Sequence, residues 1–141
     1  MPYDDEIPPY HDLPEPPAEL DALARAVIGA AIEVHRHLGP GLPEAAYEGA
    51  MVVELTLREI PFERQKYVDI IYKGIHVGDG KIDLLVAGKL VVELKSCDSI
   101  TPVFRLQTRS YMRIIRQPLG LLINFDVPLL KDGVRRVIQT S

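Results

Sequence analysis

Asp83, Glu93 and Lys95 are the residues whose types and spacing most readily support chemistry. Asp83 precedes the apolar run Leu84-Leu85-Val86, and Glu93 follows Val91-Val92. Ala87-Gly88-Lys89 between them reads as a tight hairpin, and each acid stands five residues from Gly88. In an antiparallel pair the two acids therefore meet at one sheet edge. Lys95, two residues beyond Glu93, shares its face of the sheet. Two carboxylates can hold a hard divalent cation such as Mg²⁺ or Mn²⁺, which prefers oxygen ligands. Such an ion polarises a phosphodiester and acidifies a bound water, and an ammonium can orient that water or balance phosphate charge. The same residues also suit a bland role, a cross-strand acid pair neutralised by lysine on a solvated face.

Two further groups extend the constellation. Glu44 and Glu48 stand four apart and share a helix face, with Tyr47 beside them. A third carboxylate from this helix would complete a metal site, although Glu44 also suits a helix start, where an acid complements the dipole. In the segment from Thr101 to Arg116, helical spacing places Val103, Leu106, Ser110 and Ile114 on one face, expected to pack inward. Gln107 and Tyr111 flank that face, so Gln107 either satisfies a buried group or reaches into a site. Arg105, Arg109, Arg113 and Arg116 gather on the opposite side, as a solvated stripe or as phosphate contacts. His35 and His37 lack the spaced partners of a zinc site, and a structural role is expected of them. Cys97 is the only cysteine, so the chain alone can form neither a disulfide nor a cysteine-held cluster, and a small residue at a strand end is its expected role. No phosphate-binding glycine loop and no serine nucleophile elbow is present.

The elements that must position these residues follow from pattern. Apolar residues recur at helical spacing from Ala22 to Leu38, and Gly39-Pro40-Gly41 ends that helix. Pro43 suits the first turn of a second helix, which runs to about Glu59 before Ile60-Pro61 breaks it. Residues 62–72 alternate as a strand, and Lys73-Gly74 and Gly78-Asp79-Gly80 read as turns. Strands at 81–86 and 90–94 follow, then the helix begun by Thr101 and Pro102. The apolar run 119–125 suits a buried strand, and a short edge strand is expected around 134–138. The order α, α, β, β, β, α, β implies an α/β fold, a mixed central sheet flanked by helices.

Charge is uneven along the 141 residues. The net charge is -4, but residues 1–21 carry seven of the 20 acids and none of the 16 Lys and Arg. Residues 1–20 also hold six prolines, so an extended or disordered arm is expected there, with one folded domain over 21–141. The remaining body is mildly basic, which is compatible with a phosphate-bearing partner. No apolar run reaches the length of a membrane span, and the acidic start lacks a signal-peptide pattern, so a cytoplasmic protein without membrane contact is expected.

The segment Gly41-Leu42-Pro43-Glu44-Ala45-Ala46-Tyr47 resembles the pattern that names the GxxExxY protein family. The resemblance runs from about Ala26 to Val137 and includes Glu33-Val34-His35, Leu38-Gly39-Pro40-Gly41, Asp83, Glu93-Leu94-Lys95, Gln107, Tyr111 and Leu122-Ile123-Asn124-Phe125. That family is similar to the PD-(D/E)XK nucleases, whose restriction-endonuclease-like core has the order αβββαβ; this chain adds one N-terminal helix. The resemblance implies that Asp83 is the first acid of the core motif and that Glu93 and Lys95 fill its (D/E)xK position. It implies that Glu44 is the helix acid completing the metal site, and that Gln107 and Tyr111 match the Gln-x-x-x-Tyr helix of RecB-like nucleases. Ile82 stands in place of the eponymous proline, and the cysteines that hold an iron–sulfur cluster in some RecB-like relatives are missing. The expectation is a Mg²⁺- or Mn²⁺-dependent phosphodiesterase acting on DNA, at ends or single strands. Its alternatives are a nucleic-acid-binding or interaction module of the same fold with little activity, and an oligomeric structural protein. A domain this small has limited surface for gripping a duplex, so a homodimer or a partner protein is expected as well.

Overall fold

The structure is a computed structural model that describes residues 16–139. Helix α1 spans Ala18–Leu38, with Glu19 and Asp21 in its first turn, where acids complement the helix dipole. Leu20, Ala24, Val27, Ala30, Ala31 and Val34 recur every three or four residues and are buried. The helix starts earlier than the sequence pattern suggests, because Leu20 is a core residue, 3% exposed. Residues 18–20, expected within the extended arm, belong to this helix, and residues 1–15 of that expected arm lie outside the described residues. Helix α2 spans Glu44–Leu57 and buries Tyr47, Met51 and Leu55, one turn apart.

Five strands follow: β1 (Phe62–Tyr72), β2 (Ile75–Val86), β3 (Leu90–Lys95), β4 (Leu119–Asn124) and β5 (Val134–Ile138). Helix α3 (Pro102–Ile114) links β3 to β4, and a short 3₁₀ turn (Leu130–Gly133) precedes β5. The sheet order is β1-β2-β3-β4-β5. All neighbours are antiparallel except β3 and β4, which run parallel, as a strand–helix–strand crossover allows. The fold is therefore a five-stranded mixed sheet flanked by helices. One face packs on α1 and α2 through residues such as Val27, Met51, Leu84, Val92 and Leu121. The other packs on α3 through Ile82, Leu85, Val91, Met112 and Leu122.

Two sequence expectations are corrected. Strand β2 begins at Ile75, not Lys81, so Gly78-Asp79-Gly80 is strand and not turn. The reversal is made by Lys73 and Gly74, both with positive φ (49° and 79°), as a two-residue hairpin turn requires. Gly80 is needed for a different reason: a Cβ there would lie 2.7 Å from the Tyr111 ring. In α3 the face is also different. Val103 and Leu106 are 67% and 57% exposed, whereas Thr108 and Met112 are buried and Phe104, Tyr111 and Ile115 pack beside Met112. The bulkier set Phe104, Met112 and Ile115 is also spaced for a helix face, and Gly120 on β4 leaves room for Met112.

Strand β2 changes face at Asp83. Residues two apart in a strand normally share a face. Here Ile82 belongs to the α3-side core and Leu84 to the α1/α2-side core, and Leu85 is again on the α3 side. Pairing with β1 is regular at Arg64↔Leu84 and Lys66↔Ile82 but is missing between Gln65 and Asp83. Gln65 has φ 53°, the left-handed region. The alternation is broken on both strands at the level of Asp83.

Candidate active site

The register Leu84↔Val92 places Asp83 opposite Glu93, as the hairpin spacing implies. Strands β2 and β3 are interior strands, so this meeting point lies within the sheet and not at its edge. Regular pairing stops at Leu84, and the carboxylates replace it. The Asp83 amide donates to Glu93 Oε2 at 2.8 Å, and the Leu94 amide donates to Asp83 Oδ2 at 2.8 Å. The second oxygen of each carboxylate has no hydrogen-bond partner among the described residues.

Burial and mutual repulsion set the electrostatics. Glu93 is buried, and its carboxyl is pushed up to about 8, first by desolvation and then by the Asp83 charge; the Asp83 amide and Lys95 work against this. Asp83 is also raised, chiefly by desolvation, and it feels the charge of Glu48. Glu44, at the start of α2, is raised by desolvation and by Asp83 and Glu48, with Lys95 opposing. These acids and Lys95 therefore share one neighbourhood. The Lys95 ammonium lies 4.5 Å from the Phe104 ring centroid on α3, a cation–π contact that fixes its direction.

The segment from Gly41 to Tyr47 is fixed by specific contacts. Gly41 has φ 96°, a conformation that a side chain would strain. The Tyr47 hydroxyl donates to Gly39 O at 2.6 Å and accepts from the Leu42 amide at 3.1 Å, so it ties down the loop that precedes Glu44. Its ring stacks on Phe125 at 4.5 Å. Ser96, just past Lys95, donates to Leu42 O at 2.7 Å and joins the same loop to the end of β3.

Gln107 is exposed and does not turn into the protein; its amide donates to the Tyr111 hydroxyl at 3.3 Å. That hydroxyl accepts the Lys81 amide at 3.5 Å, two residues before Asp83. Arg105, Arg109 and Arg113 are half-buried. At 100° per residue they fall on the flank of α3 opposite Gln107, and Lys95 and Lys81 are the cations that the central carboxylates feel. His35 is structural, with Nε2 2.8 Å from Val127 O, and exposed His37 contacts Glu33. Cys97 follows β3, and its thiol meets Ser99 O.

Three features were not assigned from sequence. Glu48 is engaged by Arg64 at 2.7 Å and by the Gln65 side chain. Asn124, buried at the end of β4, accepts from the Cys97 and Asp126 amides and donates to Cys97 O, which fixes the segment after Lys95. In sequence it appears only as a polar residue within the apolar run 119–125, in the Leu122-Ile123-Asn124-Phe125 segment of the resemblance. Finally, among the described residues, the acids and histidines whose ligand atoms all lie within 4.8 Å of one another are Asp69, His76 and Asp79 on the exposed β1–β2 hairpin. Glu44, Asp83 and Glu93 do not form such a group at that spacing. Their chemistry still fits a hard cation: three oxygen donors crowd one lysine, and two retain a free oxygen.

No helix of the described residues is long and apolar enough to cross a membrane. No curated protein matches the chain, and no solved structure matches it. Residues 21–137 match the family model of the PD-(D/E)XK nuclease superfamily, and the chain belongs to that superfamily.

Proposed function

We propose that the chain is a divalent-cation-dependent nuclease that hydrolyses phosphodiester bonds in DNA, with ends or single strands as its substrate. Glu44, Asp83 and Glu93 would hold Mg²⁺ or Mn²⁺, and Lys95, Gln107 and Tyr111 would complete the catalytic set. The observation that carries this reading is the reciprocal clamp between Asp83 and Glu93. It holds two desolvated carboxylates side by side with one free oxygen each, near the Lys95 ammonium that Phe104 orients. A bound cation would polarise the phosphodiester and lower the pKa of a water.

The protein's own groups divide the remaining work. Lys95, seated on Phe104, places positive charge beside the carboxylates, where charge builds on the phosphate. Gln107 and Tyr111 form a linked pair anchored to β2 at Lys81 and reach the substrate from α3. Arg105, Arg109 and Arg113 add phosphate contacts along the other flank of α3. We place the chain in the GxxExxY family, with a RecB-like Gln-x-x-x-Tyr helix and a cytoplasmic location. The exposed apolar residues Ile71, Tyr72, Ile75 and Val77 on the β1–β2 hairpin favour association with a second copy or a partner protein.

The test is cleavage of end-labelled single- and double-stranded DNA and RNA by the full chain, with Mg²⁺, Mn²⁺ or chelator. Cation-dependent cutting of DNA supports the reading. Equal cutting in chelator, or binding of every substrate without cutting, overturns it, and the second result describes a binding module of the same fold.

A further inference from the structure

Glu48 is an acid whose side chain is only 13% exposed, and each of its oxygens already accepts a hydrogen bond from β1. Arg64 Nε donates to Oε2 at 2.7 Å, and the Gln65 amide donates to Oε1. Both partners come from β1, sixteen and seventeen residues away in sequence. Glu48 lies one turn beyond Glu44 on the same face of α2, so anchoring it fixes the first turn of that helix.

The anchor point is unusual. Gln65 stands opposite Asp83, where β1–β2 pairing is interrupted, and it has φ 53°. A non-glycine residue in this region is strained, and such strain persists where the surroundings hold it in place. Here the holding contact is the side-chain bond to Glu48. The strained backbone, the missing pair and the carboxylate bridge thus coincide at the level of Asp83, and Glu48 is close enough for both Asp83 and Glu44 to feel its charge.

We infer that Gln65 and Arg64 hold Glu48 as a strut that sets Glu44 against Asp83, which makes these three positioning residues for the carboxylate centre. The inference rests on the cation-binding reading of that centre. Glu48 is not itself a ligand in this arrangement; its effect passes through the placement of α2. Polar groups standing behind metal ligands commonly change metal affinity or activity about 10- to 100-fold.

The test is Mn²⁺ titration of the full chain by calorimetry, together with melting temperature, for the parent, Asp83→Ala, Glu48→Ala and Gln65→Gly. Glycine accepts a positive φ without strain, so Gln65→Gly removes the side-chain contact while leaving the backbone at ease. The expected result is Mn²⁺ binding weakened about 10-fold or more in Glu48→Ala and Gln65→Gly, with Gln65→Gly melting no lower than the parent. A merely structural role would lower melting and leave Mn²⁺ affinity unchanged. If Asp83→Ala loses Mn²⁺ while Gln65→Gly binds it as the parent does, the strut is wrong and the centre stands. If the parent binds no Mn²⁺, or Asp83→Ala binds it equally well, the reading of the centre fails and the strut fails with it.

Discussion

Asp83 and Glu93 face each other across β2 and β3, and the two side chains take over the strand pairing there: the Glu93 carboxylate accepts the Asp83 amide, and the Asp83 carboxylate accepts the Leu94 amide. The arrangement orients both acids without using up their oxygens. It also places two like charges together in a desolvated site, and the consequences of that can be measured.

The first consequence is a pH dependence of the cation-free protein. Glu93 rises from its ordinary 4.5 to about 8 on folding, so the folded chain holds a proton that the unfolded chain has released. Stability should therefore fall as pH rises between those values and level off above them. Asp83 and Glu44 are raised and act in the same direction. His76 is raised by its hydrogen bond to Asp79; its contribution is present below 6.5 and is lost as pH rises through its folded value. Because His76 is exposed and screened, the slope should persist in His76→Ala and flatten in Glu93→Gln. Melting curves in chelator across this window check it; equal slopes in the parent and Glu93→Gln would contradict the assignment.

Cation binding should reverse that trend. The cation competes with protons for the same oxygens, so Mg²⁺ or Mn²⁺ should raise the melting temperature more at pH 8 than at pH 6. A stabilisation lost in His76→Ala and retained in Asp83→Ala would move the cation to the Asp69–His76–Asp79 group on the hairpin, and one independent of pH would contradict binding at either group, since both must release protons to hold a cation.

Tyr47→Phe removes the hydroxyl that joins Gly39 O to the Leu42 amide while keeping the ring on Phe125. The expected cost is about 1–2 kcal/mol. Weaker Mn²⁺ binding should accompany it, because the loop leading into Glu44 loosens. Denaturant unfolding and cation titration measure the two effects, and an unchanged midpoint would show that the hydroxyl does not hold the loop.

Gly80→Ala should destabilise by about 1–3 kcal/mol, since the new Cβ meets the Tyr111 ring at 2.7 Å. Gly80→Ala combined with Tyr111→Ala should recover most of that loss relative to Tyr111→Ala alone. Additive losses in the double variant would mean that the two residues do not press on each other.

Much of this arrangement is legible in the sequence. The alternation of residues 62–72 gives β1, and the symmetric spacing of Asp83 and Glu93 about Gly88 gives their pairing. Other parts carry no local signal. Gly78 and Gly80 read as turn residues because glycine is the same letter whether it supplies a positive φ or space for a neighbouring ring. The α3 face was ambiguous because Val103-Leu106-Ile114 and Phe104-Met112-Ile115 are both spaced for a helix, and only contact with Gly120 on β4 decides between them. The left-handed Gln65 is invisible in sequence, since glutamine does not signal that conformation and its partner Glu48 lies on another element.

If Asp83 and Lys95 belong to one catalytic centre, as proposed, cleavage needs both. The most direct measurement is the rate of single-turnover DNA cleavage in Mg²⁺ and Mn²⁺ by the parent, Asp83→Ala and Lys95→Ala, each first shown by melting and circular dichroism to be folded. The parent should cleave only with the cation, and each variant should lose cleavage on the order of 100-fold or more while retaining DNA binding. Cleavage at the parent rate by a folded Asp83→Ala protein would contradict a shared centre.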